Sequence, residues 1–515
     1  MRNNLGQFLA KRAQLNPGLE ALVDVATGRR LTYAELNDQA NRAAHALRGI
    51  GVRKGDRVAT LLMNGQEFVE VFFGAAKGGA VIAALNWRLV ADELALILAD
   101  SGAETLVFGA EFTKVVEDLH ARGANATAVR NWIHVGRREE RPAFARGYDD
   151  LRGAASEAEP EITAEGDDLL YIMYTSGTTG LPKGVMHSHG TTMWALFTVC
   201  ATADIRFRDR YLICLPLFHV GALNPLLDTL YVGGTSVIMR EFDPARIWDV
   251  FREERITVSL AVPAMLNFML QTYEAKGRGI TTLRWIMSGA SPVPVTLIER
   301  YAELGIEIHQ VYGLTESGGP ACLISPDEAI ARAGSTGRAF FHTDIRIVGA
   351  DGADVPPNVP GELLVRGPHV MLGYWNRPDA TAEAIRDGWL HTGDLAIADD
   401  AGFVYIHDRL KDMIISGGEN IYPAEIENVI LSHAGVAEVA VIGVPSAKWG
   451  ESPAAVVVKR DAALTGDAVL QHCARKLARF KLPKVVYFTD VIPRNPTGKA
   501  LKRVLRDRFS ESSPE

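Results

Sequence analysis

Two hydrophobic periods share the N-terminal part of this chain. Short unbroken apolar runs mark buried strands, and between them apolar residues recur at every third or fourth position, as on one face of a helix. Thr32-Tyr33-Ala34-Glu35 is a capping box, and Leu36, Ala40, Ala43 and Leu47 follow on one helical face until Gly49. Runs at 57–62, 80–85 and 105–108 predict strands, with helices over 66–77 and 91–98 between them. Such alternation predicts a parallel sheet with helices on both faces. No G-x-G-x-x-G follows the first strand, so no dinucleotide site is indicated. Residues 137–167 are polar and rich in Glu and Ala, which predicts a surface excursion.

A second alternating block occupies 211–312, with strands expected at 211–215, 236–239, 257–261, 285–288 and 306–312. After Gly334 the texture changes to short alternating segments with turns at Asp351-Gly352 and Asp400-Ala401-Gly402, a small β-rich subdomain. Beyond Lys411, Tyr422-Pro423-Ala424-Glu425 opens a helix with Ile426, Val429 and Ile430 on one side. Strands are expected at 438–444 and 454–459, and Leu470, Cys473, Leu477 and Phe480 stripe a further helix. The patterning as a whole predicts an α/β chain. A large N-terminal domain over 1–410 carries two doubly wound sheets and the β-rich subdomain, and a small α+β domain follows over 411–515.

Bulk properties narrow this picture only at its margins. A chain of 515 residues exceeds what one core usually supports. With 47% hydrophobic and 23% charged residues it lies in the ordinary globular range, and a net charge of −8 offers no reason to propose nucleic acid as a partner. Cys200, Cys214, Cys322 and Cys473 are far apart and form no C-x-x-C pair, so they read as reduced thiols in a cytoplasmic protein. No apolar segment suited to a signal peptide opens the chain, and the uncharged stretch 211–227, which contains Pro216, His219 and Pro225, is short for a membrane span.

Candidate chemistry concentrates after the apolar run 169–173. Thr175-Ser176-Gly177-Thr178-Thr179-Gly180-Leu181-Pro182-Lys183-Gly184 brings three glycines, four hydroxyls and a lysine together. Glycine lets backbone N–H groups converge on one point, which makes an anion site. It is not the Walker loop, because Pro182 stands where the second glycine of that motif belongs and Gly184 where Ser or Thr belongs. Tyr312-Gly313-Leu314-Thr315-Glu316 follows a predicted strand, and ligands of open α/β sheets bind at the carboxyl ends of strands. His187-Ser188-His189 could supply two metal ligands, but no third ligand with zinc spacing accompanies it. Neither a G-x-S-x-G elbow nor an H-E-x-x-H motif is present.

The loop at 175–184 resembles the signature of the class I adenylate-forming enzymes, which include acyl-CoA synthetases, stand-alone adenylation domains and luciferases. The resemblance recurs along nearly the whole chain. It implies that Thr175, Ser176, Gly177, Thr178, Thr179, Gly180 and Lys183 hold the phosphates of ATP. Tyr312 would stack on adenine, Thr315 would lie near the α-phosphate, and Glu316 would ligate Mg²⁺, a cation suited to carboxylate oxygen. Gly289 and Ala290, after Ser288, would wall the adenine and acyl pocket, and His219 would sit beside the acyl carboxylate. Asp394 and Arg409 would contact the ribose, and Lys411 would be the hinge of a mobile C-terminal domain. Gly417 and Gly418 would pass the pantetheine arm of coenzyme A, aided by Trp449, and Lys499 would reach the reacting carboxylate.

The reading that results is an ATP-dependent carboxylate–CoA ligase using Mg²⁺ and coenzyme A. The pocket segments Met193-Trp194, Phe218 to Ala222 and Ser317-Gly318-Gly319 are apolar or small, without a charge for an amino group, and the texture resembles medium- to long-chain fatty-acyl-CoA synthetases. A hydroxycinnamate-type aryl acid is the alternative, since aromatic rings suit the same walls. A carrier-protein-loading enzyme and a non-catalytic acyl- or nucleotide-binding homologue rank below these. Arg475, Lys476, Arg479 and Lys481, on one basic helix end, are further candidates for CoA recognition, while Leu482 departs from a basic position in some aryl ligases. A homodimer and a peripheral membrane contact are compatible with these features.

Overall fold

The alternating N-terminal pattern folds into two large sheets. A computed structural model describes residues 3–123, 127–175, 182–276, 279–290, 293–409, 412–416, 419–446, 450–477, 479–494 and 500–509. In the first sheet eight strands run in the order Gly373–Tyr374, Lys183–Ser188, Leu169–Thr175, Val81–Ala84, Arg57–Leu61, Thr105–Gly109, Asn131–Val135, Arg146–Gly147. From Leu169–Thr175 onward all neighbours are parallel, whereas the two strands at the other edge pair antiparallel. The second sheet has nine strands, with a parallel centre of Glu307–Tyr312, Trp285–Ser288, Val258–Leu260, Arg210–Ile213, Thr235–Ile238 and Glu20–Asp24.

Local signals do what their chemistry requires. Thr32 caps the helix Tyr33–Gly49, accepting from Glu35 N at 3.3 Å while Glu35 Oε2 accepts from Thr32 N at 2.8 Å. Leu36, Ala40, Ala43 and Leu47 are buried as the periodicity predicts. One apolar cluster runs continuously through strands and helices of both large sheets. Within it the fully buried Tyr33 hydroxyl donates to the Gly234 carbonyl at 2.6 Å, tying the helix Tyr33–Gly49 to the second sheet.

The segment 137–167 runs over the surface as expected, most of its residues exposed, and some of its side chains also reach inward. It forms a short strand and the helix Tyr148–Gly153, and its polar side chains satisfy buried charges. Arg152 Nη1 donates to both oxygens of Glu70 at 2.9 and 2.8 Å, and Tyr148 donates to Glu70 Oε2 at 2.9 Å. Glu159 accepts from the buried Lys77 Nζ at 2.7 Å, which also donates to Asn37 and Asn41. A buried charge is tolerated only when paired and hydrogen-bonded, so this stretch is part of the N-terminal core's stability.

The β-rich subdomain is a five-stranded sheet in which Trp389–Ala398 lies between Gly361–Arg366 and Val404–Arg409. The C-terminal residues build another five-stranded sheet around Gly450–Lys459 and Val436–Ser446, with two apolar clusters of their own. Ile414–Ser416 and Glu419–Ile421 are additional strands there, and the helix expected through Phe480 ends at Ala474, Leu477 packing beyond its last turn. Among the described residues no helix is long and apolar enough to cross a membrane.

Candidate active site

The phosphate-loop candidate joins two antiparallel strands. Leu169–Thr175 and Lys183–Ser188 pair with Thr175 opposite Lys183, so the strand register places the lysine beside the end of the preceding strand. Thr175 Oγ1 lies 3.5 Å from the Lys183 carbonyl. Lys183 Nζ sits over the ring of Tyr374, 4.9 Å from its centroid. Ser176, Gly177, Thr178, Thr179 and Gly180 lie outside the described residues.

Glu316 belongs to a turn whose carbonyls are all engaged. His187 Nε2 donates to Thr315 O at 2.8 Å, Met371 N to Glu316 O at 2.9 Å, and His369 Nδ1 to Ser317 O at 2.7 Å. Asn224 Nδ2 reaches Gly318 O at 2.6 Å. Burial pushes the His187 imidazole down to about 4 and lowers that of His369, so both are neutral near pH 7 and act as oriented donors. The His369 tautomer is completed by Thr343, whose hydroxyl is 2.8 Å from Nε2. Gly313 permits the turn, since a Cβ there would lie 1.4 Å from the Gly319 carbonyl oxygen. The result is a carboxylate on a rigid frame, with Tyr374 Oη donating to Glu316 Oε1 at 2.9 Å. One hard oxygen ligand beside a lysine suits Mg²⁺ shared with phosphates, because Mg²⁺ takes few protein carboxylates and completes its shell with phosphate and water.

Tyr312 and Asp394 meet directly, Tyr312 Oη donating to Asp394 Oδ2 at 2.6 Å. Asp394 stands opposite Arg409 in the ladder between Trp389–Ala398 and Val404–Arg409, so the two expected ribose contacts share one register position. At the neighbouring strand end, Ser288 Oγ is buried with no hydrogen-bond partner among the described residues, and Ala290 takes a left-handed φ of 68°. Gly289 approaches Val311 so closely that a Cβ would lie 2.3 Å from its carbonyl oxygen. Such a cost at Ala290, of order 1–3 kcal/mol, persists where surrounding structure over-determines the backbone. A cavity of about 440 Å³ opens here, lined by Ala290, Tyr312 and Asp394 on one side and by Glu427, Arg494 and Lys502 of the C-terminal sheet region on the other.

His219 precedes the helix Val220–Val232, its ring 4.4 Å from that of Phe218, which in turn meets Trp87 edge-on. Its Nε2 is buried without a partner among the described residues, and burial lowers its pKa to about 3. An orphaned imidazole nitrogen beside an aromatic wall can satisfy one oxygen of a bound carboxylate.

Other expectations divide. His187 and His189 are not a metal pair: His187 holds Thr315, and His189 Nδ1 accepts from Leu5 N at 3.1 Å. Among the described residues no group of three His, Cys, Asp or Glu could hold a metal ion. Lys481 is engaged by Glu425, both carboxylate oxygens lying 2.7 Å from Nζ. Lys411, Gly417, Gly418, Trp449 and Lys499 lie outside the described residues, as does the side chain of Arg409. Tyr374, Met371 and His369 were not among the sequence candidates, because nothing in spacing or composition links 369–374 to 316.

A family model for AMP-binding enzymes matches residues 9–375, and one for the AMP-binding enzyme C-terminal domain matches 425–499. The chain is 45% identical to the long-chain-fatty-acid–CoA ligase FadD13 of Mycobacterium tuberculosis, covering 99% of this chain and all of that protein. It is 41% identical to a feruloyl-CoA synthase of Amycolatopsis, with the same coverage. O-succinylbenzoate coenzyme A synthetase from Bacillus subtilis, solved with ATP and magnesium ion, superposes with a TM-score of 0.85 at 34% identity, covering 97% of this chain and 99% of that one.

Proposed function

The chain belongs to the AMP-binding enzyme family, and from that premise we propose that it is an ATP-dependent carboxylate–CoA ligase whose acid is a medium- to long-chain fatty acid. The observation that carries the reading is the hydrogen-bonded Tyr312–Asp394 pair lining the cavity that also exposes Ala290, together with Tyr374 holding Lys183 over its ring and Glu316, in the same turn segment as Tyr312, at its hydroxyl. In the first half-reaction a substrate carboxylate oxygen attacks the α-phosphate of ATP and pyrophosphate leaves. Tyr312 and Asp394 orient adenine and ribose, and Lys183 with the 175–184 loop stabilises charge on the departing phosphates. Glu316 would hold Mg²⁺, which when bound supplies neutralising charge to the phosphate oxygens. Neutral His219 offers its Nε2 to the carboxylate, and Lys499 is assigned the bridge from carboxylate to α-phosphate.

In the second half-reaction the thiol of coenzyme A displaces AMP from the acyl adenylate. A free thiol near its ordinary pKa of about 8.5 is partly ionised at neutral pH, so no protein nucleophile is needed. That fits the four cysteines: all are free, and burial raises Cys214 and Cys322 to about 12. The division at 1–410 and 411–515, with rotation about Lys411, and a cytoplasmic location belong to the same proposal. Independent apolar clusters in the C-terminal residues support the division.

A panel of acids assayed for CoA-dependent AMP release tests the reading. Medium- and long-chain fatty acids are expected to give the highest kcat/KM. Higher values for hydroxycinnamates would move the acid assignment to the aryl class, which the feruloyl-CoA synthase relative makes the second reading. Absence of CoA-dependent AMP with every acid would overturn the ligase.

A further inference from the structure

Tyr374 stands between two opposite charges. Its hydroxyl donates to Glu316 Oε1 at 2.9 Å, and its ring face receives Lys183 Nζ at 4.9 Å from the centroid. Among the described residues neither Lys183 nor Glu316 makes an ion pair, and Glu316 Oε2 makes no hydrogen bond. A lysine and a glutamate drawn to within about 4 Å of each other would attract by about 4 kcal/mol at an effective dielectric near 20. Such a pair would cancel the cation meant for phosphate and the anion meant for a metal ion.

The tyrosine is held from outside the site. Gly373–Tyr374 adds as an edge strand to Lys183–Ser188, with Tyr374 opposite Val185 and Trp375 N donating to Gly184 O at 2.7 Å. Thr381 Oγ1 accepts from Tyr374 N at 2.8 Å and donates to Arg377 O at 2.9 Å. Trp375 Nε1 donates to Asp100 O at 2.9 Å. These anchors hold the backbone that carries the ring from outside the site.

We propose that Tyr374 is a positioning residue that orients the Glu316 carboxylate for the magnesium ion and separates it from Lys183, so that both charges face the triphosphate. The inference rests on the assignment of Glu316 as metal ligand. A hydrogen bond to one carboxylate oxygen leaves the other directed at the cation, and loss of such an outer partner typically costs 10- to 100-fold in metal affinity or activity.

The test uses the full-length protein with a non-hydrolysable ATP analogue, and Mn²⁺ followed by electron paramagnetic resonance in place of Mg²⁺. Tyr374→Phe keeps the ring over Lys183 and removes the hydroxyl, so Mn²⁺ affinity is expected to fall about tenfold. Metal-free affinity for the analogue stays unchanged. Tyr374→Leu removes the ring as well, and both affinities are expected to fall. Adding Glu316→Gln to Tyr374→Leu is expected to restore metal-free nucleotide affinity, because Lys183 then has no carboxylate to pair with. Glu316→Gln alone controls for the metal assignment and should weaken Mn²⁺ binding. If it does while Tyr374→Phe binds Mn²⁺ like the wild type, the role of Tyr374 is overturned and the metal ligand stands. If Glu316→Gln leaves Mn²⁺ binding intact, the assignment of Glu316 falls and this inference with it. Melting temperatures of the free variants accompany each titration, and should Tyr374→Leu fail to fold, Tyr374→Phe alone decides.

Discussion

The phenol of Tyr312 donates a 2.6 Å hydrogen bond to the carboxylate of Asp394, 82 residues away in sequence. The first residue closes a strand of the nine-stranded sheet, and the second lies on a strand of the β-rich subdomain. The bond therefore fixes the relative position of the two surfaces that would grip adenine and ribose. Removing either side group should be felt by the other. Tyr312→Phe and Asp394→Asn are each expected to raise the KM for ATP, and their double-mutant cycle should give a coupling of about 1 kcal/mol. Strict additivity in KM would show that the contact does not organise the nucleotide site.

Lys77 provides a stability test away from the chemistry. Its side chain is wholly buried and donates to Asn37, Asn41 and Glu159. Lys77→Met leaves three acceptors without their donor, and urea unfolding is expected to register a loss of about 3 kcal/mol. Metal and nucleotide affinity of the folded variant should be unchanged. A loss under about 0.5 kcal/mol, the range of ordinary surface substitutions, would mean that segment 137–167 is not part of the core's support.

Acid should weaken the fold before it reaches the carboxylates. Burial lowers His189 to about 4 and His219 to about 3, with Asp168 and Lys54 facing the first and Arg88 the second. An unfolded histidine titrates near 6.5, so below that pH the unfolded chain binds more protons than the native one. The stability from these neutral imidazoles is fully present above about pH 6.5 and lost as pH falls toward 4, at most about 1.4 kcal/mol per pH unit for each. Protonation of His189 at Nδ1 also sets a proton against the Leu5 N–H that it accepts, loosening the anchor of the helix Gly6–Leu15. Urea midpoints should therefore fall between pH 6.5 and 4.5, and His189→Asn should flatten that slope. A midpoint that does not change over this interval would contradict the burial argument.

If the C-terminal domain rotates about Lys411 as proposed, the half-reactions separate. Lys499→Ala is expected to abolish adenylate formation by at least a hundredfold while still converting preformed acyl-AMP to thioester. Lys411→Pro, which fixes φ near −65° and removes an N–H, is expected to retain adenylation and lose thioester formation. Each half-reaction measured separately on both variants decides the matter: equal loss of both halves would rule out rotation about Lys411.

Much of this architecture was legible in order along the chain, because helix and strand periods are local. The capping box at Thr32 and Glu35, the buried stripe from Leu36 to Leu47 and the strand leading into Thr175 follow from neighbours a few residues apart. The motif residues Lys183, Tyr312, Glu316 and Asp394 could be singled out as well, since their family pattern is written in contiguous residues. At 137–167 polarity correctly marked a surface segment but could not show that Arg152 and Glu159 answer Glu70 and Lys77 from across the fold.

What the sequence by itself determined is the set of elements and the chemistry each carries. Only the tertiary structure decided which groups meet. His187 reaches the Thr315 carbonyl across 128 positions, His369 reaches Ser317 across 52, and Tyr374 reaches Glu316 across 58. No hydrophobic period or turn signal encodes those separations. The Tyr374–Glu316 contact arises because the edge strand Gly373–Tyr374 adds to Lys183–Ser188, and that order is set by burial of whole sheet faces, a property of the assembled core and not of any short stretch of chain.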